Sequence, residues 1–219
     1  MGSSYTYPIT GIKTAEIKRN FDIPIRKNAD YWRLEQTGKK PRDENKSKTG
    51  TVPKTLTFWE SSKDQKEWED SLEGQEATTT INELATGPVY EDTVDFSENP
   101  QPALGAKVVE LVSWVYSVDN ITDEKKAEID SGFKKFQKAI TTEAPESDGG
   151  IVAGWGSAEF DFEGVPSKRY TLLIGWKSVQ AHYKCKTTPP FTDNIHWLMD
   201  NGHSKVEMVH FPYSQSIKD

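Results

Sequence analysis

The sequence has a single cysteine, no excess of basic charge and no long apolar run. Cys185 is the only cysteine among 219 residues, so an intramolecular disulfide cannot form. A chain of this length buries enough apolar surface to fold without such cross-links. The first ten residues, MGSSYTYPIT, lack the basic start and apolar block of a secretory signal. We therefore expect a protein of the cytoplasm, where thiols stay reduced.

Charge and hydropathy argue against two kinds of partner, nucleic acid and the membrane interior. The chain has 34 acidic against 27 basic residues, which disfavours a nucleic-acid-binding surface. Even the apolar segment from Lys107 to Val118 is interrupted by Glu110, so no run reaches membrane-spanning length. The one basic cluster, residues 39–54, also contains acidic residues and has no apolar periodicity. We expect residues 39–52 to form a mobile surface insertion.

The second half of the chain has the pattern of a ferredoxin-like unit. Thr122 offers an N-cap to an amphipathic helix, and Gly149-Gly150 is expected to be a turn that follows it. A further helix is expected to begin near Ser178. The predicted elements are strand 106–118, helix 123–142, strand 151–162, strand 169–176, helix 178–182, a break at Pro189-Pro190, helix 192–201 and strand 206–211. This β-α-β-β-α-β order is the ferredoxin-like motif.

The first half repeats part of this pattern. Aligning Trp59 with Trp176 sets Gln65 opposite His182, and the segment TVDF then parallels MVHF. A strand around Trp32 corresponds to the one that carries Trp155. Residues 5–28 are too short and too rich in proline for a clean strand and long helix. We therefore predict a degenerate first repeat over residues 1–98 and a complete second repeat over residues 104–219.

The segment WKSVQAHYKCKTTPPFTD, followed by KVEMVHFPY, resembles the antibiotic-biosynthesis-monooxygenase type of dimeric α+β barrel. Members carry a strand ending in Trp, a helix with Ala-His, a Ser/Thr-Pro-x-Phe step and a closing strand with alternating valines. Trp176, Ala181, His182, Pro189 and Phe191 match these positions, as does Thr188. The match covers about the last fifty residues, and the acidic loops are similar to those of tandem fungal members.

The resemblance implies an α+β fold in which tandem ferredoxin-like repeats form an intramolecular barrel of the dimeric type. Two chains form that barrel in single-repeat relatives, whereas one chain could supply both halves here, as a monomer or within a homodimer. Relatives include cofactor-free oxygenases and polyketide cyclases, and more distantly haem enzymes. The departure at Gln65 implies that any histidine-based site lies in the second repeat.

His182 and His210 are the candidate catalytic residues. His182 lies early on a helix and either exchanges protons with a small molecule or anchors the helix to the sheet. His210 lies on an apolar strand and either lines a pocket, where a ligand satisfies it, or is satisfied in the core by a polar partner. Glu159, Asp161, Tyr116 and Tyr170 are the candidate partners. His196 and His203 flank the last helix. Neither H-x-x-x-H nor H-E-x-x-H occurs, so no metal site is expected.

Five aromatic residues on the predicted strands are candidate substrate-binding residues or, alternatively, core. They are Trp114, Tyr116, Trp155, Tyr170 and Trp176. Aromatic walls with few polar groups are typical of small-molecule sites, but such side chains also fill cores. The sequence contains no phosphate-binding loop, dinucleotide fingerprint or serine elbow.

Three functions compete. The first is an enzyme of secondary metabolism without a cofactor, a cyclase, isomerase or monooxygenase acting on a small aromatic or polyketide-like molecule with a histidine base. The second is a non-catalytic or stress-associated barrel that binds a hydrophobic ligand. The third is a haem enzyme with one histidine as axial ligand. Fold alone does not decide between them.

Overall fold

The computed structural model describes residues 7–14, 30–34, 54–58, 62–84, 92–144, 147–211 and 215–216. The strands are β1 (Tyr7–Thr14), β2 (Asp30–Leu34), β3 (Lys54–Phe58), β4 (Thr93–Phe96), β5 (Val108–Ser117), β6 (Ser147–Gly156), β7 (Phe160–Phe162), β8 (Val165–Trp176), β9 (Lys205–Phe211) and β10 (Gln215–Ser216). The helices are α1 (Ser62–Glu69), α2 (Leu72–Leu84), α3 (Gln101–Leu104), α4 (Asp123–Glu143), α5 (Val179–Cys185), α6 (Pro189–Thr192) and α7 (His196–Met199).

The second half of the chain is a ferredoxin-like unit. Its four main strands lie in the order β6-β8-β5-β9 and all pair antiparallel. Numbered within the unit, this order is 2-3-1-4, with α4 after the first strand and α5 after the third. The predicted β-α-β-β-α-β arrangement is therefore confirmed, and β5 occupies a central position between β8 and β9.

The strands of the first half have the same order, β2-β3-β1-β4, with α1 and α2 between β3 and β4. In each half the fourth strand pairs with the first, so β4 and β9 occupy equivalent positions, as the repeat predicts. Trp59 and residues 39–52 lie outside the described residues. The division at residues 98 and 104 stays a prediction.

The two halves share one continuous sheet. On one side β4 pairs antiparallel with β6, and on the other β10, which follows β9 in the chain, pairs with β2. Each half thus contributes an edge strand to the other. This is the α+β barrel that the sequence predicts, with the sheets of both repeats supplied by one chain.

Three local expectations are wrong. The predicted strand 151–162 is two strands, because β6 ends at Gly156 and β7 is a separate short strand paired with β8. Gly149 and Gly150 lie inside β6, where positive φ values of 91° and 116° accompany a shift in strand register. Pro189 begins a short helix, as proline can at a first helical position, and the last helix covers only His196–Met199.

The helices cover one face of the second-half sheet. Ile129, Phe133, Phe136 and Ile140 recur at helical spacing along α4 and are buried against that face. The Thr122 hydroxyl caps the helix by accepting from the Lys125 amide at 3.1 Å. Although α4 has 21 residues, none of the described helices has the length and apolar character needed to span a bilayer.

Alternation along β5 divides its side chains between two environments. One set faces the helices and includes Val108, Glu110, Val112, Trp114 and Tyr116, because strand side chains alternate between faces. The intervening residues, including Val109, Leu111 and Val115, are buried on the opposite face of the sheet. A polar group at position 110 therefore lies between the sheet and its helical cover.

Substitution of Gly154 tests how closely β4 and β6 pack at the seam, the line along which these two strands join the halves. A Cβ at this position would lie 2.1 Å from the carbonyl oxygen of Asp95 on β4, a backbone atom that cannot move aside alone. We expect Gly154→Ala to lower the free energy of unfolding by about 1–3 kcal/mol, measured by urea denaturation. Gly105→Ala is the control, since it is exposed, has a φ of −78° and meets nothing closer than 3.3 Å. Equal losses in both variants would contradict a close-packed seam.

Candidate functional site

A buried carboxylate on the central strand is the starting point of the site. Glu110 is 2% exposed and interrupts a strand in which the other residues from Val108 to Tyr116 are also buried. Its strand partners are Ile174 on β8 and His210 on β9. Because directly paired residues project to the same face, the ladder itself sets His210 beside Glu110.

The second histidine comes from the helix that covers this face. The Ser178 side chain caps α5 by accepting from the Ala181 amide at 3.0 Å, and His182 follows within the first turn. His182 Nδ1 lies 2.5 Å from His210 Nε2. The same two nitrogens lie 3.6 and 3.9 Å from Glu110 Oε2, so three polar atoms converge on one point.

Aromatic contacts hold this cluster in place. The Trp176 indole donates from Nε1 to Glu110 Oε2 at 2.6 Å, which fixes the carboxylate. The His182 ring stacks on Trp176 with centroids 4.9 Å apart, and Tyr183 stacks on His182 at 5.6 Å. The side chain of His182 is 2% exposed, whereas that of His210 is 15% exposed. Of the three polar side chains, His210 is the one that solvent can reach.

Burial shifts the proton equilibria of all three groups. It raises the pKa of Glu110 to about 7, although the Trp176 hydrogen bond and the nearby Lys186 charge oppose this shift. Burial also lowers the pKa of His182 to about 3, with further lowering by the charges of His210 and Lys186. The pKa of His210 is lowered by burial and by Lys186. Both imidazoles are therefore neutral near pH 7.

The structure brings His182 and His210 together, but not with the partners considered for His210. Glu159 and Asp161 are exposed, and Tyr116 donates instead to Asn201 Oδ1 at 2.7 Å. Tyr170 is buried in the core. The cluster residue that sequence reasoning missed is Glu110, whose one signal is a lone acidic residue inside an apolar strand. In the sequence alone, that position is only an interruption of a hydrophobic run.

Of the five candidate substrate-binding aromatics, all belong to the core between sheet and helices or pack against it. Trp114, Tyr116, Tyr170 and Trp176 are buried, and Trp155 packs beside them. Trp155 lies 5.5 Å from Tyr116 and 4.9 Å from Tyr170 between ring centroids. Only Trp176 contacts the polar cluster, so the other four pack as core, and their role in substrate binding stays a prediction.

Solved structures with the same architecture exist despite low sequence identity. A protein provisionally named a monooxygenase from Fusobacterium nucleatum matches with a TM-score of 0.60 at 10% identity, over 97% of this chain and 95% of that one. One with the same provisional name from Lactobacillus acidophilus matches with a TM-score of 0.55 at 12% identity, over 96% of both chains. An anthrone oxidase-like protein matches with a TM-score of 0.57 at 10% identity, over 96% of this chain and 93% of that one.

These similarities establish the fold. They extend over nearly the whole chain, so the α+β barrel includes both halves rather than the second alone. No protein-family model matches the sequence, and no curated protein is similar to it. The chemistry of the chain must therefore be argued from its own side chains.

The cluster has the ligand types of a metal site. Glu110, His182 and His210 each offer one donor atom, and these atoms all lie within 4.8 Å of one another. The expectation of no metal site relied on sequence spacing along one helix, whereas these three residues come from β5, α5 and β9. Haem ligation by His182 fits poorly, because its side chain is 2% exposed and its Nδ1 already contacts His210 Nε2.

Trp176→Phe tests whether the indole N–H supports the buried carboxylate. Phenylalanine retains an aromatic ring beside His182 but leaves Glu110 Oε2 without its 2.6 Å donor. We expect the free energy of unfolding to fall by about 1–3 kcal/mol from the lost hydrogen bond, and further from the lost volume. Urea denaturation measures the change. Trp197→Phe is the control, because Trp197 is 37% exposed, and a loss as large there would contradict a specific role for Trp176.

Proposed function

We propose that the chain is a monooxygenase-like enzyme that acts on a small enolisable aromatic or polyketide-like molecule, with Glu110, His182 and His210 as its reacting centre. The observation that carries the proposal is the convergence of three ionisable side chains on one buried point within an otherwise apolar face. Buried ionisable groups are costly to stability, and they concentrate at functional sites.

The difference between the halves supports this assignment. At the aligned positions of the first half, Asp95 is exposed on β4, and Gln65 donates to Glu69 along the exposed side of α1. No comparable cluster joins those two positions. A purely structural anchor of helix to sheet would be expected in both repeats, whereas a chemical role is needed only once. The asymmetry therefore favours function over packing for His182 and His210.

The roles within the centre follow from exposure and charge. His210 is the accessible member, so we assign it the exchange of a proton with the substrate. His182 contacts its ring and orients it, and Glu110 stabilises positive charge that develops on the imidazoles. Abstraction of a C–H proton that is conjugated to a carbonyl, directly or through an aromatic ring, leaves an enolate. Dioxygen, the co-reactant named here, can oxidise that enolate, and for an anthrone methylene the products are the quinone and one water.

Because the similar proteins carry the names monooxygenase and anthrone oxidase-like, anthrone is the substrate chosen to probe the proposed reaction. This reaction requires a base, an orienting group and dioxygen, without an organic cofactor. A cytoplasmic location, a fungal-type origin, a place in secondary metabolism, and the monomeric or homodimeric state stay predictions. The binding-protein alternative predicts ligand binding with no exchange or oxygen uptake.

The test measures proton abstraction separately from oxidation. Purified protein is incubated anaerobically with anthrone in deuterated buffer, and methylene exchange is followed by NMR; oxygen uptake is measured in a parallel aerobic assay. We expect His210→Gln and His182→Gln to slow the enzyme-dependent exchange by about a hundredfold to ten-thousandfold, since a positioned base contributes that much.

His196→Gln is the matched control, because His196 is exposed on α7 and lies outside the cluster. It should retain the wild-type exchange rate. Circular dichroism establishes that each variant is folded before rates are compared. If folded His182→Gln and His210→Gln both exchange protons at the wild-type rate, the cluster is not the reacting centre.

A further inference from the structure

We propose that Glu110 Oε2, His182 Nδ1 and His210 Nε2 bind one divalent first-row transition-metal ion. Two imidazoles and one carboxylate form a ligand set that suits ions such as Fe²⁺, Co²⁺ and Zn²⁺. This inference goes beyond the proposed function and shares with it only the three residues of the reacting centre. An ion on His210 Nε2 would occupy the lone pair with which that imidazole accepts a proton, and a water bound to the ion would then be the base. Metal binding itself follows from the geometry and can be measured without any substrate.

The three donor atoms form a triangle close to the one that an ion requires. Its edges are 2.5 Å between the two nitrogens, and 3.6 and 3.9 Å from those nitrogens to the carboxylate oxygen. With metal–ligand bonds near 2.1 Å, donor atoms on one ion lie about 2.9–3.4 Å apart. Each edge therefore needs to change by only about half an ångström, which side-chain rotation can supply.

An ion at the centre would engage all three donor atoms, whereas a shared proton joins only the two imidazoles. A metal ligand must offer a lone pair, so both histidines must be neutral and the glutamate ionised. Without an ion, two neutral imidazoles and a buried carboxylate can satisfy the contact between His182 and His210 only by placing one proton between the rings. An ion at the centre satisfies both nitrogens and the carboxylate together, and compensates the buried negative charge.

The surroundings hold the ligands as a metal site requires. The Trp176 indole fixes the carboxylate by a hydrogen bond, a role that outer partners commonly play at metal sites. Two ligands lie on paired strands, and the third follows a capped helix terminus. The Lys186 charge opposes cation binding. The exposed edge of His210 leaves a side open for water.

The cluster stands apart from the other ionisable side chains that the structure describes. Among the described residues, it is the one group of three or more histidine, cysteine, aspartate or glutamate side chains with donor atoms close enough to share an ion. The other described histidines are differently engaged: His203 contacts Asn201, and His196 packs against Trp197. Surface adsorption of metal by scattered histidines would not depend on His210.

The test is a metal titration of the full-length, tag-free protein. The protein is treated with chelator, dialysed and titrated with Co²⁺ alone, followed by visible d–d absorption and by calorimetry, and Zn²⁺ is then used as competitor. We expect one ion per chain. His210→Ala, the least buried ligand change, and Glu110→Gln should each weaken Co²⁺ binding by at least about 10- to 100-fold, whereas His196→Ala should leave it unchanged.

The outcome that overturns the proposal is wild-type protein that binds Co²⁺ no more tightly than folded His210→Ala and Glu110→Gln. Activity then separates the two proposals. Chelated wild-type enzyme that retains exchange activity, while His210→Gln loses it, would leave the proposed function standing without the metal. Stoichiometric Co²⁺ binding that depends on His210, together with unchanged exchange activity in His210→Gln, would leave the metal site and remove the proposed function.

Discussion

The buried charge of Glu110 is the constraint on which the rest of the site depends. An ionised carboxylate removed from water costs several kcal/mol unless hydrogen bonds or opposite charge compensate it. Here the compensation comes from the Trp176 indole at 2.6 Å and from the charge of Lys186. Burial raises the pKa of this group to about 7, so the compensation of its charge is incomplete. Burial of such a group lowers stability, which supports a role for it in the proposed function.

The barrel architecture makes this placement possible. A central strand that is covered on both faces can carry a polar side chain far from bulk water, and β5 is covered by α4 and α5 on the face that holds Glu110. Because β9 pairs with β5 throughout its length, a histidine on β9 is set beside the carboxylate without any contribution from a loop. Sites built on regular elements keep their geometry precisely.

The repeated architecture also shows how two halves with the same strand order can differ in their polar side chains. The strand order is the same in both halves, so packing and pairing are shared. The helix that follows the third strand carries Gln65 in the first half and His182 in the second. The fourth strand carries Asp95 in one and His210 in the other. Among the described residues, the common scaffold thus holds such a cluster in the second half only.

The sequence by itself determined the second half of the fold, because the local periodicities of β5, α4, β8 and β9 and the caps at Thr122 and Ser178 act over a few residues. It also singled out His182 and His210 as unusual. The sequence did not predict the features that depend on distant contacts. The register shift at Gly149-Gly150 depends on pairing with β8, and Glu110 gains its partners only through strand register and helix docking. The three residues of the cluster come from three separate elements and therefore show no characteristic spacing along the chain. Only the tertiary structure could bring them together.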